Sequence, residues 1–123
     1  QTSDFAAADS AWMDILWRAR RDEPGYDLTL ARQGLYFVGD CRLRSGDFPT
    51  ALKCFTEAIW ISDERFGDDE SGWLVMAWLK KGMVLDKMGR RKEAIDAYEE
   101  VLDRPNKRDS HAQAERYIAK AYQ

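Results

Sequence analysis

Residues 78–98, which read WLKKGMVLDKMGRRKEAIDAY, predict two helices joined at a glycine. Trp78 and Gly82 lie one turn apart and share a face of the first helix, as Ala94 and Tyr98 do on the second. Gly89 stands between the helices, where a helix commonly ends in a left-handed residue. The stretch therefore predicts a hairpin of two antiparallel helices.

The hairpin pattern recurs 43 residues earlier in the chain without a gap. This offset aligns four pairs of similar residues: Gly39 with Gly82, Gly46 with Gly89, Ala51 with Ala94, and Phe55 with Tyr98. A second step of the same length aligns Ala8 with Ala51 and Trp12 with Phe55. Because small residues match small ones and aromatic residues match aromatic ones, the sequence predicts a repeated helical hairpin.

Amphipathic periodicity along the chain predicts an all-α fold of about six helices, with no competing strand pattern. The expected helices cover residues 4–22, 27–45, 47–65, 71–88, 90–103 and 110–122. No linker is long enough to divide the chain, so we expect one domain. Within it, residues 1–25 form the second half of a repeat, 26–68 and 69–106 form two repeats, and 107–123 form the first helix of a following repeat.

Composition narrows the class of protein. The 123 residues are 45% hydrophobic and 33% charged, which is typical of a folded globular domain. A net charge of −3 disfavours a nucleic-acid partner. Because no apolar run approaches the ~20 residues that cross a bilayer, we expect no membrane insertion. We expect a cytoplasmic location, with a periplasmic one or attachment to a larger membrane-anchored protein as alternatives.

Chemistry-bearing motifs are missing from the sequence. It has one histidine, His111, no glycine-rich phosphate loop and no CxxC spacing; Cys41 and Cys54 are expected to be free thiols. We therefore expect no enzymatic activity, no cofactor and no metal. The basic cluster at residues 104–108 follows a helix C-terminus and is expected to complement the helix dipole, with a binding patch as the alternative.

The pattern Trp-x2-Leu-Gly-x2-Tyr, then Ala-x3-Phe and Pro, is that of the tetratricopeptide repeat, and this chain resembles it. The second copy carries the resemblance through Trp78, Gly82, Gly89, Ala94, Tyr98 and Pro105, and the first through Leu35, Val38, Gly39, Gly46, Ala51, Phe55 and Ala58. Lys81 and Leu85 depart from the family's Leu and Tyr, as Arg42 does in the first copy. The resemblance implies a right-handed superhelical stack of hairpins, an α-solenoid.

The repeat of 43 residues is longer than the usual length of about 34. The extra length falls at the end of the second helix and in the loop at residues 66–69. In this respect the chain is similar to the extended repeats of kinesin light chains and many bacterial tetratricopeptide proteins.

The resemblance further implies a non-enzymatic interaction module, which binds a peptide or helix of a partner protein in the concave groove made by the first helix of each hairpin. By register, the groove residues are Gln33, Tyr36, Asp40, Leu43, Met76, Leu79, Met83, Asp86, Arg116 and Lys120. Met76, Leu79 and Met83 share one stripe and would form an adaptable apolar patch. In the alternative interpretation the stripe belongs to the core, and the patch is covered by Tyr117 or by missing repeats.

A structural role is the second hypothesis: a spacer, or a self-association segment of a larger multi-repeat protein. The first residue is Gln1 rather than methionine, so we expect the chain to be processed or cut from a longer protein. Terminal repeats normally carry polar capping faces. Here Trp12 and Tyr122 lie near the two ends, so we expect exposed apolar surface there. Such surface predicts either a homo-oligomer formed end to end or excision from a larger protein.

Overall fold

The computed structural model describes residues 28–61 and 72–123 of the chain. These two ranges hold five α-helices and no strand, which confirms the all-α prediction. The helices are α1 (Leu28–Ser45), α2 (Phe48–Ile61), α3 (Trp73–Lys87), α4 (Arg91–Leu102) and α5 (Ser110–Ala119). The expected helix at residues 4–22 and the loop at 66–69 lie outside the described residues.

Helix boundaries agree with the sequence prediction to within two residues at every start. The one clear difference is the end of α5, which was expected near residue 122 and comes at Ala119. Lys120 is extended, with φ −146° and ψ 124°, so the chain leaves the helix there. The expected end of α2, near residue 65, lies outside the part of the chain that the structure describes.

The helices pack as successive antiparallel hairpins. α1 pairs with α2 and α3 with α4, while α2 packs on α3 and α4 on α5, which joins each hairpin to the next. α3 also contacts α1 and α5 directly. The first helix of each hairpin therefore has the next first helix as a neighbour, and we call α1, α3 and α5 the first-helix layer. The repeat boundaries after residues 25, 68 and 106 stay a prediction.

Two glycines end the first helices, as the sequence predicts. Gly46 follows α1 with φ 90°, and Gly89 follows α3 with φ 76°. The next N–H groups return to the helix: Asp47 N donates to Arg42 O at 2.9 Å, and Arg90 N donates to Leu85 O at 2.8 Å. The glycines lie 43 residues apart and close the same turn, because only glycine enters the left-handed region without a steric penalty.

An aromatic ring presses against a glycine inside each hairpin. A Cβ atom placed on Gly82 would lie 2.4 Å from Tyr98 Cε1, and one on Gly39 would lie 2.9 Å from Phe55 Cζ. Real carbon atoms do not approach so closely, so any side chain at either glycine would displace the ring. The paired helices therefore approach closely at both glycines, and the 43-residue offset relates the two contacts.

The hydrophobic core consists of two clusters. The larger spans α1 to α5 and includes Leu43, Phe55, Leu79, Met83, Leu85, Tyr98 and Ala114. The smaller joins α1, α2 and α3 through Ala31, Leu35, Val38, Ile59 and Leu74. Tyr36 and Trp78 pack against both clusters, so the two regions of the core are continuous.

The glycine–ring contact gives a direct test of the helix spacing. We expect Gly82→Ala to lower the free energy of unfolding by about 1–3 kcal/mol, because the added methyl overpacks the hairpin. The Tyr98 ring cannot swing aside freely, since its hydroxyl donates a 2.7 Å hydrogen bond to Asp86. Gly39→Ala is the matched control and should cost less, because Phe55 has no such anchor. Urea unfolding measures both, and equal or increased stability of Gly82→Ala would contradict the packing described here.

Candidate functional site

A pocket opens where the three first helices approach one another. Its lining residues are Tyr36, Gly72, Trp73, Met76 and Arg108, and it encloses about 280 Å³ of empty space, part of it open to solvent. Tyr36 comes from α1; Gly72, Trp73 and Met76 come from the start of α3; Arg108 comes from the turn that precedes α5. Every wall of the pocket therefore belongs to the first-helix layer or to the residues directly before it.

Tyr36 is held in the pocket by two aromatic neighbours. Its ring lies 5.1 Å from the Trp73 ring at an interplanar angle of 75°, and 5.7 Å from the Phe55 ring at 73°. These edge-to-face arrangements are the favoured geometry of aromatic pairs. Because Phe55 belongs to the core, it connects the wall of the pocket to the packing of the first hairpin.

The Tyr36 hydroxyl is kept protonated. Burial raises the pKa of Tyr36 to about 12, and the Asp40 carboxylate adds to the rise, while the positive charges of Arg108 and Arg44 act in the opposite direction. At neutral pH the phenol is neutral, as an ordinary tyrosine with a pKa near 10 also is, and it can donate or accept a hydrogen bond.

Asp40 is committed to ion pairs between helices. Lys80 Nζ of α3 lies 2.9 Å from one carboxylate oxygen, and Arg44 binds the other through Nε at 3.1 Å. Burial alone would raise the pKa of Asp40, but the hydrogen bonds and charges of Arg44 and Lys80 outweigh it and lower the pKa. Asp40 therefore joins α1 to α3, and its negative charge is already balanced.

The turn before α5 has an unusual backbone. Arg108 and Asp109 have φ values of 52° and 63°, a left-handed conformation that side-chain-bearing residues rarely adopt. Ser110 Oγ accepts a hydrogen bond from the Lys107 N–H at 3.1 Å, and Lys107 Cβ lies close against the backbone of Gly72. These contacts fix the turn beside the pocket. Arg108 was missed as a site residue, although the predicted basic cluster at 104–108 contains it.

Three of the predicted groove residues belong to the core. Leu43, Leu79 and Met83 are 5%, 0% and 6% exposed, so the prediction that they line an open groove is corrected. The reason is packing: α3 has α1 on one side and α5 on the other, and Tyr117 packs against the cluster that contains all three residues. The alternative interpretation of the stripe as core fits these residues, whereas Met76 on the same stripe is half-buried and lines the pocket.

Asp86 is also a structural residue rather than an open groove residue. Its side chain is 1% exposed. Its oxygens accept hydrogen bonds from Arg91 Nη1 at 3.1 Å, from the Tyr98 hydroxyl at 2.7 Å and from the Tyr122 N–H at 3.0 Å. Burial and the Asp86 carboxylate both raise the pKa of Tyr98. Because Asp86 ends α3 beside the start of α4, it is enclosed by the hairpin itself.

The segment after α5 folds back onto this carboxylate. Besides the Tyr122 N–H bond, Arg91 Nη2 donates to Ile118 O at 2.7 Å, and the Tyr122 ring lies 5.3 Å from the Tyr117 ring. Tyr122 is half-buried, so part of its ring is covered, and the expected self-association through the ends of the stack stays a prediction. Trp12, the other predicted end residue, lies outside the described residues.

The remaining predicted residues lie near the pocket layer without lining the pocket. Gln33 is half-buried on α1, while Arg116 and Lys120 are exposed on α5 and just after it. Of the ten predicted groove residues, the structure therefore brings only Tyr36 and Met76 together in one cavity. Trp73, Gly72 and Arg108 join them from positions that the repeat register does not indicate.

Within 28–61 and 72–123, no three His, Cys, Asp or Glu side chains are grouped as metal ligands would be. No helix in these ranges has the length and apolar character needed to span a membrane. Cys41 is half-buried, Cys54 is buried, and both are free thiols.

Comparison with known proteins agrees with the helical repeat. The family model described as tetratricopeptide repeat matches residues 30–107, which is more than half of the chain. No curated protein and no solved structure matches the chain. The likeness to the longer repeats of kinesin light chains and bacterial proteins stays a prediction.

Truncation to alanine should have different effects on stability at the buried Leu79 and at the pocket residue Met76, which lie on the same stripe of α3. We expect Leu79→Ala to lower the free energy of unfolding by about 2–5 kcal/mol, because it leaves a cavity in the larger cluster. Met76→Ala, the matched variant at the half-buried position, should cost about 1 kcal/mol. Urea titration followed by circular dichroism measures both. Equal costs would show that Leu79 is less buried than the structure indicates.

The raised pKa of Tyr36 gives a test at alkaline pH. Because its folded pKa of about 12 exceeds the ordinary value near 10, the unfolded chain loses the proton first as pH rises. The stability that depends on the neutral phenol is complete below pH about 10 and is lost as pH rises through about 12. Stability should therefore fall more steeply between pH about 10 and 12 in the wild type than in Tyr36→Phe. Equal losses in urea unfolding would contradict this.

Proposed function

The chain belongs to the tetratricopeptide repeat family, and on that premise we propose that it binds a peptide or helix of a partner protein along its first-helix layer. Repeats of this family mediate protein–protein interactions and are not themselves enzymes. The observation that carries the proposal is the pocket between Tyr36, Trp73 and Met76, because all its lining residues come from this layer or directly precede it.

The chemistry of the pocket suits one apolar side chain of a partner. Two aromatic rings form rigid walls, and the thioether of Met76 supplies a wall that adapts to different shapes. The polar side-chain groups of the lining residues are the neutral Tyr36 hydroxyl, the Trp73 indole N–H and the Arg108 guanidinium. An apolar cavity with few polar groups is typical of binding sites in general.

The proposed surface extends from the pocket over the accessible residues of the layer. Gln33 and Asp40 flank it on α1, and Arg116 and Lys120 lie on the α5 side. The buried residues of the same register hold the first helices at a fixed spacing underneath. We include in the proposal a cytoplasmic location, the absence of a cofactor and the absence of a nucleic-acid partner, the last because the chain carries a net charge of −3.

Self-association as a structural segment is the second candidate, and one observation favours it. Phe37 on α1 is 66% exposed and Trp60 on α2 is 44% exposed. Large apolar side chains with this exposure often mark contact surfaces. Neither residue lines the pocket, so the two candidate functions use different surfaces and can be separated by mutation.

Selection of peptides from a random display library tests the partner-binding proposal. Met76→Glu places a charge in the pocket and should weaken the selected peptides at least about tenfold, a cost typical of a central contact residue. Ile95→Glu is the matched control: Ile95 is half-buried on α4, away from the pocket, and its variant should bind normally. Fluorescence anisotropy measures affinity, and circular dichroism verifies that both variants fold.

The outcomes separate the two functions. Selected peptides that bind Met76→Glu as tightly as wild type would rule out the pocket as the binding site. Failure to select any peptide, together with concentration-dependent dimers in sedimentation that Phe37→Ser abolishes, would favour self-association instead.

A further inference from the structure

We propose that the pocket selects a partner segment in which an apolar side chain is followed by an acidic one, and that Arg108 is the cation that makes this choice. The inference rests on the proposed function, and it specifies the chemistry of the partner. Three observations on Arg108 carry it: its place in the lining, its lack of an ion-pair partner, and its backbone conformation.

Arg108 differs from three nearby basic residues, which are held in ion pairs. Arg91 pairs with Asp86, Arg104 with Glu100, and Lys80 with Asp40. Arg108 lines the pocket, is exposed, and makes no ion pair with any residue in the two described ranges. A guanidinium in this position has five donors free to bind a carboxylate.

The backbone at Arg108 is in a conformation that glycine would adopt at lower cost. Arg108 and Asp109 are consecutive residues with positive φ. The contact of Lys107 with Gly72 and the hydrogen bond to Ser110 Oγ hold the turn in this form. Backbone strain of this kind persists where the surrounding structure fixes it, and such residues cluster at binding sites. The turn held in this conformation brings Arg108 into the pocket lining.

Charge complementarity decides which partner fits. Arg108 is the one charged residue among the five that line the pocket. The nearest carboxylate on α1, Asp40, is already balanced by Arg44 and Lys80. Asp109 is exposed beside Arg108 but is absent from the lining. Although the chain is acidic overall, its pocket therefore favours an acidic partner residue beside the inserted apolar one.

Capped peptides test this choice without charged termini. The probes are acetyl-Gly-Phe-Glu-Gly-amide and its neutral isostere acetyl-Gly-Phe-Gln-Gly-amide, titrated into the isotopically labelled chain and followed by NMR at Gly72 and the Trp73 indole. We expect the Glu peptide to bind about threefold to tenfold more tightly, the range for an exposed charge-assisted contact. This advantage should shrink at high salt because the site is open to solvent.

Two glycine variants separate the charge from the strain. Arg108→Gly removes the positive charge, so the two peptides should bind equally. It also removes the backbone strain at residue 108, so the thermal midpoint should rise. Asp109→Gly relieves strain at the next residue but keeps the guanidinium, so the preference for the Glu peptide should persist. Lys92→Gln, on an exposed position of α4, controls for the change in net charge.

The proposal is overturned if the Glu and Gln peptides bind the wild type equally, or if the preference survives in Arg108→Gly. It is also overturned if neither peptide shifts the pocket resonances. These results leave the proposed partner-binding function to its own test. That test is whether peptides selected from the display library lose affinity for Met76→Glu.

Discussion

The contact between an aromatic ring and a glycine is the constraint on which the rest of the structure depends. Tyr98 lies against Gly82 in the second hairpin, as Phe55 lies against Gly39 in the first. Each contact fixes how closely the two helices of a hairpin approach. The Phe55 ring also packs edge-to-face against Tyr36. The ring that sets the spacing of the first hairpin therefore also contacts a wall of the pocket.

Close packing has a second consequence for the first-helix layer. α3 is enclosed by α1 and α5, and the stripe that could have formed an open groove is largely buried. The proposed binding site therefore lies at the start of α3, where Trp73 and Met76 meet Tyr36. At the other end of α3, the buried Asp86 joins α4 and the segment after α5 to the same helix. The C-terminal end of α3 is therefore held by the contacts of Asp86, and its N-terminal end forms the proposed site.

Sequence alone predicted the parts of the fold that depend on local chemistry and repetition. Gly46 and Gly89 indicated helix ends because a left-handed turn favours glycine, and the offset of 43 residues aligned the glycines and rings whose contacts the structure shows. The site was less predictable. An apolar stripe does not reveal which neighbour covers it, so Leu79 and Met83 were assigned to the groove. Neither position of the left-handed turn, Arg108 or Asp109, is a glycine or an asparagine, so the turn was not predicted. The early end of α5 depends on tertiary bonds to Asp86 and Arg91.

The most direct test of the partner-binding account is the position of a bound peptide. Intermolecular nuclear Overhauser effects between the labelled chain and a display-selected peptide measure that position. We expect contacts from an apolar side chain of the peptide to the rings of Tyr36 and Trp73 and to the Met76 methyl group. Contacts confined to Phe37 and Trp60, or to the surface of α4, would contradict the account.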